Sequence, residues 1–423
     1  MNRENHKNEC IPVPKPWQKD IMTRLRDETM KRFLILEAVV FGLFSLCLVN
    51  PAFTQKPSPC VDCHQKSNPT LVKQYLEGTM GKAEIECSQC HGSEHRNATD
   101  YKKVRMPNAD TCRPCHAKQV EQFKAGKHSL AWAAMTAIPF TARQPKEVIE
   151  KGCAGCHRVG YEGGKCDSCH TRHAFSKEEA RNPEACHTCH MGEDHSQWEM
   201  WSTSKHGAIY KLEGDSGRAP KCQTCHMPGG NHAVMTAWGF LALRLPEKDV
   251  AWMTDRTEIL KALGILDLKG KPTPRFEIVK TIKMARLSAE EWSAKREEMI
   301  RICVQCHSRS YVTNHFFVAD GIIRNADSLM AGAIRTVGEL YREGLLKKPK
   351  EYPFAFPDLL AFYDAPTRIE QNLYRMFLFH RQKTYQGVMH VNPDYMHWYG
   401  WAEMKSDLVT IKERAGEIRT RKK

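Results

Sequence analysis

Residues 153–195 read CAGCHRVGYEGGKCDSCHTRHAFSKEEARNPEACHTCHMGEDH. Three copies of Cys-x-x-Cys-His fall within this stretch, and an Asp-His pair closes it. The spacing is the signature of c-type haem attachment, in which two thiols bond to the porphyrin and the adjacent histidine binds the iron. The stretch therefore predicts a fold organised around covalently bound haem.

The same motif occurs eight times and uses sixteen of the 18 cysteines. Zinc sites and disulfides also use paired cysteines, but neither accounts for a histidine after every second cysteine. The remaining Cys10 and Cys47 lie upstream of the first motif, in a segment that we expect to be removed. The predicted attachment sites are Cys60–Cys63–His64, Cys87–Cys90–His91, Cys112–Cys115–His116, Cys153–Cys156–His157, Cys166–Cys169–His170, Cys186–Cys189–His190, Cys222–Cys225–His226 and Cys303–Cys306–His307.

Residues 1–54 are predicted to be a targeting segment. From Met30 the chain reads MKRFLILEAVVFGLFSLCLVNPAFTQ, a positive start, an apolar run and a small-residue exit, as in a secretory signal. Residues 1–29 form a polar extension upstream of it. We expect export to the periplasm or an equivalent compartment, where haem is attached; the alternative is an uncleaved N-terminal anchor in the membrane.

The formal charge is +14 at pH 7. Each ferric haem with two axial histidines and two ionised propionates adds about −1. Eight haems therefore leave the loaded protein only mildly basic, and we predict no nucleic-acid binding from the charge.

The motif density and the helical patterns predict a mainly α multihaem cytochrome c. Residues 55–319 form the predicted haem-binding region, with little regular secondary structure, and residues 320–423 a long helical region. Apolar spacing predicts helices in SLAWAAMTAIPF, RTEILKALGIL, SAEEWSAKREEMI, DSLMAGAIRTVGELYREGLL and RIEQNLYRMFLFHRQKTYQGVM. Asn392-Pro393-Asp394 is expected to break the helix before a last charged helix.

Histidines outside the motifs supply candidates for the second axial position of each iron. If one haem is open, seven are needed, and the first seven apart from His195 suffice. His195, His380, His390 and His397 are then free, although the count also allows all eight irons to be filled. The predicted distal ligands are His95, His128, His173, His187, His206, His232 and His315.

The whole pattern resembles the octahaem hydroxylamine oxidoreductase family, which includes hydrazine dehydrogenases. The resemblance covers about residues 55–415 and rests on the eight motifs together with GEDHSQWEMW and HVNPDYMHWYGW. It implies that the fourth motif, ending in His157, holds the catalytic haem, and that Asp194 and His195 stand on its open face. It also implies a homotrimer in which a tyrosine of a neighbouring subunit is bonded to that haem in oxidising members. Tyr395 is the favoured match, and Tyr399 the alternative.

The reaction implied by the resemblance is oxidation of hydroxylamine to nitric oxide or nitrite. Asp194 and His195 would accept protons, and seven bis-histidine haems would pass electrons to a c-type cytochrome or a membrane quinone-linked acceptor. Hydrazine remains an alternative substrate. Two further alternatives are a nitrite or hydroxylamine reductase that forms ammonium, and an electron conduit without an open haem. No Cys-x-x-Cys-Lys motif of the kind found in many nitrite reductases occurs here.

Overall fold

The computed structural model describes residues 58–234, 246, 248–281, 288–350, 357–361 and 365–421. Over these residues the chain is helical, and the backbone pairs as β-structure only in an isolated bridge between Leu266 and Pro272. The prediction of a mainly α fold is confirmed. Backbone contacts divide the chain into two units, residues 1–62 and residues 63–423. The predicted targeting segment lies outside the described residues.

The haem-motif region consists of short helices joined by turns, where the sequence predicted little regular structure. The correction has a simple cause: the two thiols and the histidine of a motif are three and four residues apart, which is one turn of helix. The α-helices are Pro59–Ser67, Pro69–Glu77, Thr79–Lys82, Cys87–His91, Ala109–Ala125, Ala131–Ala137, Pro139–Arg143, Lys146–Val148, Ala154–His157, Lys177–Arg181, Glu184–His187, Gln197–Ser202, Lys205–Glu213 and Cys222–His226. Short 3₁₀ turns cover Tyr101–Lys103, His128–Leu130, Arg158–Gly163, Cys166–Ser168 and Pro228–Gly230.

Longer helices follow from residue 250 onwards, mostly in the segments that the apolar spacing predicted. Pro274–Thr281 and the first half of Arg309–Arg342 were not predicted. Ser308 caps the longest of them, Arg309–Arg342, by accepting a hydrogen bond from the Tyr311 amide. The predicted boundary between residues 319 and 320 lies inside this helix and remains a prediction. The helices are Val250–Ala262, Pro274–Thr281, Ala289–Cys303, Arg309–Arg342, Arg368–Arg375, Gln382–Met389 and Ala402–Arg421.

A buried charge network ties three of these helices together. The carboxylate of Asp327 accepts hydrogen bonds from Arg256 (2.8 Å) and Arg381 (2.9 Å), and from the Trp252 indole (2.7 Å). The Tyr385 hydroxyl also donates to it. Asp327 and Arg381 have no exposed surface, so this polar cluster fixes the packing inside an otherwise apolar core.

Three π-helical stretches interrupt the α-helical pattern over the described residues. Ile149–Cys153 leads directly into the fourth haem motif, Met376–Arg381 carries an arginine of the buried network, and Tyr395–Trp401 carries both candidate tyrosines. Such stretches are rare and occur often at functional sites. Within the described residues, none of the helices has the length and apolar character needed to cross a bilayer.

Candidate functional site

The Asp-His pair lies on a turn that folds back onto the sixth motif. The Trp198 amide donates to the His190 carbonyl (2.9 Å), and the Gln197 amide donates to the His195 carbonyl (2.8 Å). This turn places the His195 ring 6.1 Å from the His157 ring and 6.5 Å from the His190 ring, measured between ring centres. The predicted catalytic pair and the fourth motif are therefore brought together.

Asp194 orients the His195 ring through a contact with its Nδ1 atom. Its carboxylate is 3.0 Å from Nδ1 of His195, and the two side chains are 51% and 37% exposed. The hydrogen bond with His195 holds the pKa of Asp194 below its usual range, although partial burial opposes this shift. An ionised Asp194 accepts the Nδ1 proton, which leaves Nε2 of His195 as the basic nitrogen.

Six other histidine pairs have the separation expected around a haem iron. Two imidazoles that bind one metal from opposite sides have ring centres about 6 Å apart, because each metal–nitrogen bond is about 2 Å long. The observed ring centres are 6.0 to 6.3 Å apart, with interplanar angles of 16° to 49°. The pairs are His64 with His95, His91 with His173, His128 with His190, His170 with His232, His206 with His307, and His226 with His390.

His157 and His195 differ from these pairs in orientation. Their rings are nearly perpendicular, at 82°, although their separation is similar. Nδ1 of His157 is bonded to the Ala131 carbonyl (3.0 Å), whereas Nδ1 of His195 is bonded to a carboxylate. A backbone carbonyl behind an axial histidine is a common way to fix its ring.

Five of the seven predicted distal histidines face a motif histidine: His95, His128, His173, His206 and His232. The other two do not. His187 stacks on Trp198 at 4.2 Å, and Nε2 of His315 is buried without a hydrogen-bond partner in the described part of the chain.

His390, which the histidine count left free, faces His226 instead. The sequence could not indicate this, because the two residues are far apart in the chain and only the packing of the C-terminal helices joins them. The other C-terminal histidines differ: His380 is buried and bonded to Asp407 (2.5 Å), and His397 is exposed.

Thiols of different motifs lie against one another, which gives the order in which the motifs are neighbours. Hydrogen-bonded thiol pairs join the third motif to the fifth, the fourth to the sixth, and the sixth to the seventh. In the loaded protein these sulfurs become thioethers. The pairs are Cys112 with Cys166, Cys156 with Cys189, and Cys186 with Cys222.

Hydrogen bonds and an ion pair from the C-terminal region hold the segment that carries the Asp-His pair. Lys383 is paired with Glu193 (2.8 Å), and the amides of Gln386 and Gln197 are bonded (2.7 Å). Asn392 donates to the Met200 carbonyl (2.8 Å). Local sequence patterns cannot predict these contacts, because they join positions 189 to 192 residues apart.

The two candidate tyrosines stack on each other, with ring centres 4.7 Å apart, but their surroundings differ. The Tyr395 hydroxyl is hydrogen-bonded to Ser196, next to His195, and partial burial raises its pKa. Tyr399 is 54% exposed, and Trp398 beside it is 61% exposed. Tyr395 therefore contacts its own subunit, whereas Tyr399 faces outward.

Comparison with known proteins identifies the family of this chain. The family model described as "Seven times multi-haem cytochrome CxxCH" matches residues 56–242 and 273–352, more than half of the chain. Seven of the eight motifs lie in the first stretch and the eighth in the second.

One curated relative is a probable nitrite reductase-hydroxylamine oxidoreductase fusion protein of Kuenenia stuttgartiensis, 25% identical over 471 aligned positions. The alignment covers 86% of this chain but only 52% of the relative, so the chain spans about half of that protein's length.

Two solved structures share the fold. A reducing HAO-like protein complex of Kuenenia stuttgartiensis matches with a TM-score of 0.68 and 24% identity, covering 85% of each chain. A protein described as a hypothetical multiheme protein matches with a TM-score of 0.65 and 20% identity, covering 89% of this chain and 98% of its own. The chain belongs to the multi-haem cytochrome CxxCH family, with covalently bound c-type haems and the fold of the HAO-like proteins.

Proposed function

We propose that this protein is an oxidoreductase that oxidises hydroxylamine at the haem attached to Cys153 and Cys156. The observation that carries the proposal is the orientation of His195: its ring stands at 82° to the His157 ring and a carboxylate holds its Nδ1, whereas the 6.1 Å separation is shared with the six ligand pairs. The name of the curated relative, which includes hydroxylamine oxidoreductase, supports the substrate class. Eight haems, one per motif, are part of the proposal.

The haem would supply an iron with one open axial position and a route for electrons. The chain's own residues would handle the protons. Conversion of hydroxylamine to nitric oxide releases three protons with three electrons; addition of water to give nitrite raises these to five protons and four electrons. Nε2 of His195 would accept protons one at a time, and Asp194 would stabilise the resulting cation.

Pairs of histidines would close the other irons to substrate. His95, His128, His173, His206 and His232 are proposed as distal ligands, as predicted, and His390 joins them opposite His226. For the third motif, His187 remains the candidate, because His315 lies near His206 of the eighth-motif pair. The electrons would leave to a c-type cytochrome or a quinone-linked acceptor in the periplasm.

The tyrosine that modifies the haem would come from a neighbouring subunit of a homotrimer. Tyr395 was favoured from the sequence, but to reach another subunit it would have to give up its bond to Ser196. Tyr399 is exposed and would lose less contact with its own chain on reaching another subunit. Tyr395 and Tyr399 are therefore both candidates for the tyrosine that is bonded to the haem.

Reduction of nitrite or hydroxylamine to ammonium is the second candidate. The observation in its favour is that the Tyr395 hydroxyl bonds within its own chain, as expected of a tyrosine that is not bonded to haem. The solved structure described as a reducing HAO-like complex has the same fold.

The spectrum of the dithionite-reduced holoprotein tests the direction. A red-shifted band beside the main Soret peak, lost in either Tyr395→Phe or Tyr399→Phe, would support oxidation and identify the tyrosine. A high-spin component without this band would support reduction. A wholly low-spin spectrum would contradict both and leave an electron conduit. Rates with hydroxylamine and hydrazine, compared as kcat/KM, would then decide between the substrates.

A further inference from the structure

A hydrogen-bonded bridge of two glutamines joins the sixth haem motif to the C-terminal helices. Nδ1 of His190 is 3.2 Å from Oε1 of Gln197, and Nε2 of Gln197 donates to Oε1 of Gln386 (2.7 Å). The backbone carbonyl of Gln386 accepts from Nδ1 of His390 (2.7 Å). The bridge thus runs from an axial histidine candidate of one haem to that of another.

The direction of each hydrogen bond follows from the ends of the bridge. An imidazole that binds iron through Nε2 carries its proton on Nδ1, so His190 must donate and Gln197 must present its oxygen. The Gln197 amide nitrogen then points at Gln386, whose side-chain oxygen accepts. Both orientations agree with the observed contacts.

Gln197 is a side-chain acceptor for an axial histidine, as Asp100 is for His95 (2.7 Å), whereas several other axial histidines use the main chain. His91, His157 and His390 donate to backbone carbonyls. A carbonyl is fixed by the main chain, but a glutamine oxygen stays on its histidine only if the rest of the side chain is held. Gln386 provides that restraint.

We propose that Gln197, held by Gln386, sets the reduction potential of the haem attached at Cys186 and Cys189. Hydrogen bonding to an axial histidine makes the ring a stronger electron donor, stabilises ferric iron and lowers the potential. Because the His195 ring is only 6.5 Å from His190, this haem is placed to receive electrons from the proposed site. Gln197 and Gln386 are thus positioning residues for electron exit.

The test is a redox titration of the full-length holoprotein without substrate, followed through the low-spin ferric EPR signals. Gln197→Glu offers a charged acceptor and should lower the potential of one haem, so that its ferrous-to-ferric ratio at fixed potential falls on the order of tenfold. Gln197→Met removes the acceptor and should raise the ratio. Gln386→Met releases the restraint and should give a smaller rise.

Gln371→Glu is the matched control, because Gln371 is exposed and bonds only locally, to the Ala365 carbonyl (3.0 Å). It adds the same charge and should leave every potential unchanged. The proposal would be overturned if the control shifted the reduction potential as much as Gln197→Glu does. It would also be overturned if Gln197→Glu and Gln197→Met shifted the potential in the same direction, or if Gln197→Met did not shift it. The inference rests on the haem at the sixth motif and not on the reaction, so its failure would leave the proposed function standing.

Discussion

The haem-motif region (58–234) and the C-terminal helical region (250–421) are stabilised in different ways. The larger apolar core lies wholly between Trp252 and Ala415, along the long helices. In the haem-motif region, the one such cluster found among the described residues consists of Ala109, Val120 and Phe123. The first region therefore depends on its haems for a hydrophobic interior, whereas the second has a core of its own.

The comparison explains why the proposed reactive pair, Asp194 and His195, is held by contacts from outside its own region. Residues 191–196 form a turn that lies outside the apolar clusters of the described residues, and such a turn is mobile unless other contacts hold it. Lys383, Gln386 and Asn392, on the rigid C-terminal helices and the turn after them, fix it in place. The proposed site thus lies in the haem-dependent region, and contacts from the C-terminal helical region hold its geometry.

Preventing haem attachment should have the largest effect. In chain produced without haem maturation, residues 58–234 should be cleaved rapidly by protease. Residues 250–421 should remain resistant except around the eighth motif (303–307), because their apolar core needs no haem. Limited proteolysis with mass spectrometry measures both regions at once. Equal protection of the two regions would break the comparison.

His195→Ala should lower kcat/KM for hydroxylamine by about 10²- to 10⁴-fold, the range for loss of a general base. The low-spin haem spectrum should not change, because His195 is not proposed as a ligand. His397→Ala, at an exposed histidine, is the matched control and should retain full activity. A new open haem in His195→Ala would show instead that His195 binds the iron.

Asp327→Asn should destabilise the C-terminal region by about 3–5 kcal/mol, since it leaves two buried arginines without their counter-charge. Thermal unfolding of the holoprotein followed by circular dichroism gives the change. Glu417→Gln removes an exposed ion pair with Arg414, both side chains 49% exposed, and should cost under about 1 kcal/mol. Similar losses in the two variants would mean that the buried network is not what holds these helices.

The pH dependence of unfolding should show a smaller effect of the same residue. Burial raises the pKa of Asp327, but Arg256 and Arg381 outweigh it and hold that pKa below its usual range. A carboxyl group whose pKa is lowered by folding stabilises the folded state fully at a pH above its pKa in the unfolded chain, about 3.9. That stabilisation is lost as the pH falls towards the pKa in the folded state. Stability should therefore fall below about pH 4 in the native protein, and less steeply in Asp327→Asn. Identical acid profiles would contradict this.

The sequence predicted the parts of this protein that depend on local spacing. The motifs, the helical segments and the Asp194–His195 pair are all visible in short windows. Pairing between distant residues could not be predicted in this way. His390 remained unassigned because no residue near it in the sequence indicates His226. The glutamine bridge was missed for the same reason, since each of Gln197 and Gln386 looks like an ordinary polar helix residue until the two are seen together.

Carbon monoxide binding to the reduced holoprotein tests the central claim, that the haem at His157 is open beneath Asp194 and His195. One molecule should bind per chain, hydroxylamine should compete with it, and His397→Ala should bind it equally. Absence of binding would contradict the account, because every iron would then be closed by two histidines and the protein could only conduct electrons.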